Sequence, residues 1–273
     1  MNHKKSVYLL SDSSGNLLEH FFSAILTQFP KERLLIREIP FLKDAAMVTN
    51  AITKIREGIV LHTVTSEKLK NLISNLCKEQ NLPCWDVTGP TMDFFEKSAG
   101  IPRYSPPRPP HDIDEKYMSR IKALEFAMQH DDSRRIEQLD QAEIILIGIS
   151  RVSKSPTSLF LAQRGFRVAN VSFIPDMMPL PGCLGKHPHS NIVALTMRPK
   201  NLTEIRRRRF AEWKIKDFDY QKLDAVTAEV MKAERIYKKK GWPVIDTTDL
   251  VVEETSTLVL STLKLQPKVF ECV

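Results

Sequence analysis

The residues best placed to do chemistry lie in the stretch GISRVSKSP, which begins at Gly148 and follows the apolar run EIILI. Lys154 stands six positions after Gly148 and is followed by the hydroxyl of Ser155. In a phosphate-binding loop, a strand ends at a glycine and backbone amides surround a phosphate. The lysine reaches the outer phosphates, and a Ser/Thr hydroxyl holds Mg²⁺. The spacing therefore predicts a nucleotide-phosphate site, with Lys154 as the catalytic cation and Ser155 as the metal ligand.

One position departs from that pattern, because Ser153 stands where a second glycine is usual. A residue with a side chain either avoids a positive φ there or is strained by it. The alternative to a nucleotide site is a turn between a strand and a helix, capped by serine and with its basic residues in solvent. On the nucleotide hypothesis the binding segment consists of Gly148, Ile149, Ser150, Arg151, Val152, Ser153, Lys154 and Ser155.

Two acidic positions are further candidates for the chemistry. Asp12 lies in SDSSGN directly after an apolar run, where open α/β sheets place their ligands, although Ser13 or Ser14 could simply cap the next helix. Asp132, in the pair Asp131-Asp132, is a candidate proton acceptor or metal ligand, with a solvated turn at a helix end as the alternative. We therefore take Asp12 and Asp132 as candidate catalytic residues beside Lys154.

Basic and imidazole side chains supply weaker candidates. Arg206 and Arg209 belong to a run of four arginines and share one face of a predicted helix, which could bind phosphate or an acidic partner, or could form a solvated face. His111 lies in a proline-rich stretch and could contact phosphate. His187 and His189 could form a metal pair, but the intervening proline favours two solvated side chains instead.

The elements that must position these groups alternate along the chain, as the apolar periodicity indicates. The predicted strands are 7–10, 34–39, 59–63, 84–87, 144–147, 168–174, 192–195 and 244–246. The predicted helices are 17–29, 44–56, 66–80, 114–130, 156–163, 201–213, 221–239 and 253–263. Such alternation favours parallel sheets with helical crossovers. The predicted fold class is α/β, with two domains that are each a mostly parallel sheet with helices, and with the variant phosphate-binding loop in the second.

A proline-rich stretch marks the expected domain boundary. Five prolines fall within 102–110, and each removes an amide donor and fixes the chain as extended. We expect an N-terminal α/β domain at 1–105 and a nucleotide-binding domain at 106–273, with a linker at 101–113. No signal peptide or membrane span is expected, because the longest early apolar run is too short.

The composition narrows the choice of partners and compartment. Lysine and arginine total 40 against 33 acidic residues, a net charge of +7 that suits phosphorylated ligands or an acidic protein surface. Nucleic acid is not expected as a partner, since neither an aromatic-rich RNA-binding strand nor zinc-finger spacing is present in the sequence. The four cysteines form no CxxC pair, which favours a reducing cytoplasm.

The wider sequence resembles the regulatory proteins of pyruvate, phosphate dikinase and phosphoenolpyruvate synthase over nearly the whole chain. The resemblance lies in ordered blocks, which are SDSSGN (11–16), PPRPPHDIDEKYMSRIKALEFAMQHDD (106–132), GISRVSKSPTSLFLAQRGFRVANVSFIP (148–175), LTMRPKNLTEIRRRRF (195–210) and GWPVIDTTDLVVEET (241–255). The chain departs from the family pattern at Ser155, which replaces a threonine but keeps the hydroxyl, and at Pro107 and Ser133, which replace glycines.

This resemblance implies a bifunctional enzyme. As a serine/threonine kinase it would use ADP to phosphorylate a threonine of the dikinase and inactivate it. As a pyrophosphorylase it would use inorganic phosphate to remove that group and release pyrophosphate. ADP and inorganic phosphate are then substrates, and Mg²⁺ is expected with the nucleotide.

The identity of the target leaves alternatives open. Ser153-Lys154 and the block GWPVIDTT are more similar to the dikinase branch, so pyruvate, phosphate dikinase is the expected protein substrate and phosphoenolpyruvate synthase is the close alternative. A non-catalytic nucleotide-sensing module that binds a protein partner is the alternative of a different class. The oligomeric state is open, with a homodimer among the alternatives.

Overall fold

The computed structural model describes residues 4–104, 115–178, 180–182, 184, 191–213, 220–266 and 268, with side chains described in α7 only up to residue 209. The chain divides into two compact units between residues 112 and 113, whereas the sequence placed the boundary after residue 105. The candidates His111, His187 and His189 lie outside the described residues.

The first unit is a parallel α/β sheet. Its strands are β1 (Lys5–Leu10), β2 (Leu34–Ile39), β3 (Ile59–His62) and β4 (Cys84–Asp86). Its helices are α1 (Asn16–Leu26), α2 (Ala45–Ile52), α3 (Glu67–Glu79) and α4 (Gly89–Ala99). The strand order is β2-β1-β3-β4, and all pairings are parallel. The chain therefore changes direction across the sheet between β1 and β3, the kind of position where open sheets bind ligands.

The second unit repeats this arrangement. Its strands are β5 (Ile144–Gly148), β6 (Val168–Ser172), β7 (Ile192–Thr196) and β8 (Val244–Asp246). Its helices are α5 (Glu115–Gln129), α6 (Lys154–Gln163), α7 (Pro199–Trp213), α8 (Leu223–Lys240) and α9 (Val252–Leu263). The strand order is β6-β5-β7-β8, again with all pairings parallel. The predicted α/β class with two parallel sheets is confirmed.

Burial explains why the central strands of the second unit read as continuous apolar runs. Every residue of β5 and of β7 is buried, as expected for parallel strands with helices on both faces of the sheet. The core continues into the helices through Leu161, Leu202 and Val230. The carboxyl end of β5 is therefore a rigid platform from which the loop at 149–153 departs.

The predicted elements are all observed, and the described residues contain one further α-helix, α4, and two short 3₁₀ helices, Lys31–Arg33 and Ile136–Gln141. Each strand agrees with its prediction to within two residues at either end. Helix α4 was not predicted, because its first residues, Gly89-Pro90, are typical of a turn, although proline is tolerated in a first helical turn. None of the helices in the described part of the chain is long and apolar enough to cross a membrane.

Candidate active site

Close packing at the end of β5 explains the glycine that opens the loop. Gly148 pairs with Ser172 of β6. A Cβ atom at Gly148 would lie 2.6 Å from Cγ2 of Val152 and 3.0 Å from the carbonyl oxygen of Leu195. Glycine is needed here because the loop folds back tightly over the strand end.

The loop after Gly148 combines buried anchors with a strained backbone. Ile149 and Val152 are buried, at 1% and 0% exposed, so the loop is fastened to the core at two points. Arg151 and Ser153 have φ values of 75° and 65°, in the left-handed region. This region costs about 1–2 kcal/mol for a residue that carries a Cβ. Of the two alternatives for Ser153, the strained one is observed, and the backbone takes the conformation that a glycine would favour.

Lys154 begins α6 and is almost completely buried, at 5% exposed. Its Nζ donates a hydrogen bond to the carbonyl oxygen of Ile149 at 2.8 Å. Burial lowers the pKa of Lys154 to about 8, and the carboxylates of Asp132 and Asp131 offset part of that effect. The alternative of a turn with solvated basic residues is therefore wrong for Lys154. Ser153 occupies the N-cap position, but its side chain makes no capping hydrogen bond.

The acidic pair is held beside the loop by Asn170, a buried residue of β6. The Asn170 side-chain amide donates to Oδ1 of Asp131 and, at 3.4 Å, to Oγ of Ser155. Its Oδ1 accepts from the backbone amide of Asp132 at 2.9 Å. One side chain therefore links the two carboxylate-bearing residues to the first turn of α6.

The turn that carries the acidic pair is fixed further along by Ser133. The Ser133 hydroxyl donates to the carbonyl oxygen of Ser172 and accepts from its amide, at 2.9 and 2.8 Å. Ser133 has a φ of 63°, the region that favours glycine, which is the residue usual at this position in the family that the sequence resembles. These hydrogen bonds dock the turn against the open edge of β6.

These groups line one cleft in the second unit, with a volume of about 620 Å³. This is within the usual range for a small-molecule site. Its lining residues are Asp131, Asp132, Ser150, Arg151, Ser153, Lys154, Ser155, Pro156, Ser172, Ile205, Arg208 and Arg209. Four of them are cationic side chains and two are carboxylates. The amino terminus of α6 opens into the same cleft and adds a positive helix-dipole end, so the arrangement favours an anion that also has contact with carboxylates.

The arginine run divides between two environments. Arg208 and Arg209 are exposed and line the cleft. Arg206 is 0% exposed and forms an ion pair with Glu229 of α8, so neither a solvated face nor a phosphate-binding role fits this residue. The two arginines that the sequence placed on one face therefore differ in environment, because the side of α7 that carries Leu202 and Arg206 packs inward, whereas Arg209 lines the cleft.

The comparison with known proteins gives the family of the chain. A family model described as kinase/pyrophosphorylase matches residues 7–260. The chain belongs to the kinase/pyrophosphorylase family. Its members are phosphotransferases by that description, and the match runs from within β1 to within α9.

Curated relatives of the same family align over nearly their full lengths. The chain is 34% identical over 264 residues to a protein of Bartonella tribocorum, which covers 95% of this chain and 96% of the relative. It is 32% identical over 265 residues to a protein of Pelagibacter ubique, with the same two coverages. It is 31% identical over 261 residues to a protein of Desulfitobacterium hafniense, covering 94% and 95%. Each of the three is named "Putative pyruvate, phosphate dikinase regulatory protein".

The other acidic candidate, Asp12, lies in the first unit. Its Oδ2 accepts hydrogen bonds from the backbone amide and the hydroxyl of Thr65, at 2.7 and 2.8 Å. Asp12 thereby joins the loops that follow β1 and β3, and it is not among the residues that line the cleft of the second unit. Capping by Ser13 or Ser14 is wrong, because the N-cap position of α1 is Gly15 and has no side-chain cap.

Sequence reasoning missed Asn170 altogether and, for Arg206, missed the structural role that it has beside the site. Asn170 is a buried amide within the apolar strand VANVS, and a polar side chain in such a strand signals a required hydrogen-bond partner. Arg206 lies four residues after the buried Leu202, which places it on the inward face of α7. Both signals are present in the sequence, but neither identifies the partner.

Proposed function

We propose that this chain is a bifunctional regulatory enzyme with pyruvate, phosphate dikinase as its protein substrate. It acts as a serine/threonine kinase with ADP as phosphoryl donor, and as a phosphate-dependent pyrophosphorylase that removes the same group. The names of the relatives support the dikinase as target. The family description supports phosphoryl transfer with both activities.

The observation that carries the proposal is the position of Lys154. Its ammonium group is buried at the amino terminus of α6, where burial and the positive end of the helix dipole both disfavour a cation. The nearby carboxylates of Asp131 and Asp132 offset only part of this cost, since the pKa stays lowered to about 8. Bound phosphate would supply the missing negative charge, so the site is suited to a phosphorylated ligand.

In the kinase direction, the terminal phosphoryl group of ADP passes to a threonine hydroxyl of the target and AMP leaves. Lys154 and the first amides of α6 neutralise charge on the transferred group. Asp132 accepts the proton of the attacking hydroxyl, and Arg151 holds a phosphate. Asp131, tied to Asn170, positions the turn that carries Asp132.

In the reverse direction, an oxygen of inorganic phosphate attacks the phosphorus of the phosphothreonine. Pyrophosphate forms, and the threonine oxygen leaves with the proton that Asp132 returns. We place the inorganic phosphate near the position of the ADP phosphates, because Lys154, Arg151 and the amino terminus of α6 line the same cleft. A second site served by Arg206 is disfavoured, since Arg206 is buried and paired with Glu229.

The cleft also fits a magnesium ion that arrives with the nucleotide. Mg²⁺ prefers hard oxygen ligands and is commonly held by one or two carboxylates together with substrate phosphates. The Ser155 hydroxyl and the carboxylates of Asp131 and Asp132 line the same cleft. Within the described residues, no cluster of three or more His, Cys, Asp or Glu side chains could hold a metal alone. The ion would neutralise phosphate oxygens during the transfer.

The test is incubation of the purified protein with ADP, Mg²⁺ and each candidate target in turn. We expect phosphate on a threonine of pyruvate, phosphate dikinase, formation of AMP, and release of pyrophosphate when inorganic phosphate replaces ADP. If only phosphoenolpyruvate synthase is modified, the proposed protein substrate is wrong but the proposed reaction stands. ADP binding without turnover on either target would contradict the enzyme proposal and support the sensor.

A further inference from the structure

An ion pair between the fully buried Arg206 and the half-buried Glu229 lies directly behind the loop at 149–153. Both terminal nitrogens of Arg206 donate to the carboxylate of Glu229, with Nη1–Oε2 and Nη2–Oε1 distances of 2.6 and 3.1 Å. Such a pair is a poor source of stability, because the desolvation of two charges cancels much of their attraction. Its location indicates a different role.

The pair is connected to the loop through Ser150. Nη2 of Arg206 also donates to the carbonyl oxygen of Ser150 at 3.1 Å. The hydroxyl of Tyr220 donates to Oγ of Ser150 at 2.7 Å, and the Tyr220 ring centre lies 4.0 Å from the guanidinium carbon of Arg206. Arg206 of α7 thereby fixes the main chain of Ser150, and Tyr220, which precedes α8, fixes its side chain.

The loop requires such fixation because its backbone is strained in the residues that follow Ser150. Arg151 and Ser153 both have left-handed φ values, and strained conformations persist only where the surrounding structure over-determines them. The residue before Ser150 is held by Lys154, which donates a hydrogen bond to the carbonyl oxygen of Ile149. A loop released at Ser150 would relax toward ordinary φ values and turn its amides away from the cleft.

We propose that Arg206, Glu229 and Tyr220 form a positioning network that holds the loop amides in the arrangement that binds phosphate. The network acts through Ser150 and does not touch the ligand, since Arg206 is 0% exposed and Arg206, Tyr220 and Glu229 are not among the residues that line the cleft. The inference rests on the proposed function, because the ligand whose binding it controls is ADP in one direction and inorganic phosphate in the other.

The decisive variant is Arg206→Met/Glu229→Met, which replaces the buried pair by apolar side chains of similar volume. Replacements of this kind often leave stability unchanged or raise it, so the protein should stay folded. We expect the dissociation constant for ADP and the KM for inorganic phosphate to rise together by about tenfold, since one loop anchor is lost. The matched control is Arg207→Met, at the exposed neighbouring arginine, which should leave both constants unchanged.

A second set of variants keeps the buried charges in place. Tyr220→Phe and Ser150→Ala each remove the Tyr220–Ser150 hydrogen bond, and each should weaken ADP binding a few-fold at an unchanged melting temperature. The combined variant Tyr220→Phe/Ser150→Ala should bind ADP as tightly as whichever single variant binds it less tightly. The reason is that both substitutions remove the same contact. Additive losses, or unchanged ADP and phosphate constants in the folded double-methionine variant, would overturn the positioning network.

Amide hydrogen exchange at residues 149–153 separates this inference from the proposed function. The exchange is measured in the ligand-free protein and is expected to accelerate in the double-methionine variant and in Tyr220→Phe, but not in Arg207→Met. If the unmodified protein binds no ADP, the proposed function fails, while faster exchange still supports the positioning network. Unchanged exchange in the variants refutes the network whatever the ligand is.

Discussion

Replacement of Lys154 by methionine should stabilise the free protein while it removes activity. Burial lowers the pKa of Lys154 from 10.5 to about 8, so the folded second unit keeps this cation at neutral pH at a cost of about 3 kcal/mol. Methionine has a similar shape and no charge. It leaves the Ile149 carbonyl oxygen without its donor, which offsets about 1–2 kcal/mol of the gain. The net expected gain at pH 7 is about 1–2 kcal/mol.

The pH dependence of stability tests whether the buried charge of Lys154 is the cause of the expected gain. Because the pKa is lowered in the folded state, the unfolded chain binds more protons between pH 8 and pH 10.5, and the stability of the unmodified protein rises with pH across that window. The methionine variant lacks this rise. The stability of the methionine variant relative to the unmodified protein should therefore fall by about 2–3 kcal/mol between pH 7 and pH 10, so that the unmodified protein is the more stable of the two at pH 10.

Urea unfolding in a Trp85→Phe background provides the assay. Trp213 and Trp242 then report only on the second unit, since Trp85 is the tryptophan of the first unit. The control is Lys122→Met, which removes a lysine at an exposed position of α5 outside the cleft. A difference between Lys154→Met and the unmodified protein that stays constant from pH 7 to pH 10 would refute the buried-cation argument.

Substitutions at Ser153, Gly148 and Asn170 test the loop and the acidic turn. Ser153→Gly removes the strain of a φ of 65° and should raise stability by up to about 1 kcal/mol with transfer activity retained, whereas Ser153→Val should lower both; equal activity of the valine variant would show that the position tolerates branching. Gly148→Ala should cost about 1–3 kcal/mol of stability, because its Cβ would lie 2.6 Å from Cγ2 of Val152. If that clash is the cause, denaturation of Gly148→Ala/Val152→Ala should show that part of the lost stability is recovered. Asn170→Asp would place a second carboxylate against Asp131 and should shift the pH optimum of transfer toward acid, where the pair shares a proton; an unchanged pH–rate profile would contradict the role given to Asn170.

The sequence predicted the architecture and the loop because both depend on local patterns. Continuous apolar runs such as EIILI and IVALT, separated by helical periodicity, suffice to predict buried parallel strands. The spacing of Gly148 and Lys154 placed the loop at the end of β5, where the structure has it. The conformation of Ser153 was left between two alternatives, because only the packing of the loop decides whether strain is tolerated.

The remaining parts of the site depend on contacts between distant segments. Asn170 meets Asp131, 39 positions earlier, only because β6 lies at the sheet edge against which the acidic turn docks. Arg206 meets Glu229, 23 positions later, only because α7 packs on α8. A run of four arginines is expected to be exposed because arginine side chains are charged. The ion pair that allows one of them to be buried is a tertiary contact, which no local sequence pattern predicts.

The central claim is that the loop from Gly148 to Ser155 holds the phosphates in both directions of transfer. The most direct measurement is the initial rate of threonine phosphorylation from ADP and of its phosphate-dependent removal, in the unmodified protein and in Lys154→Ala, with pyruvate, phosphate dikinase as target. We predict that both rates fall by at least about a hundredfold in the folded variant, and that ADP competes with inorganic phosphate in the removal reaction. Near-normal phosphorylation in a folded Lys154→Ala protein, or loss of phosphorylation with removal unchanged, would contradict the claim.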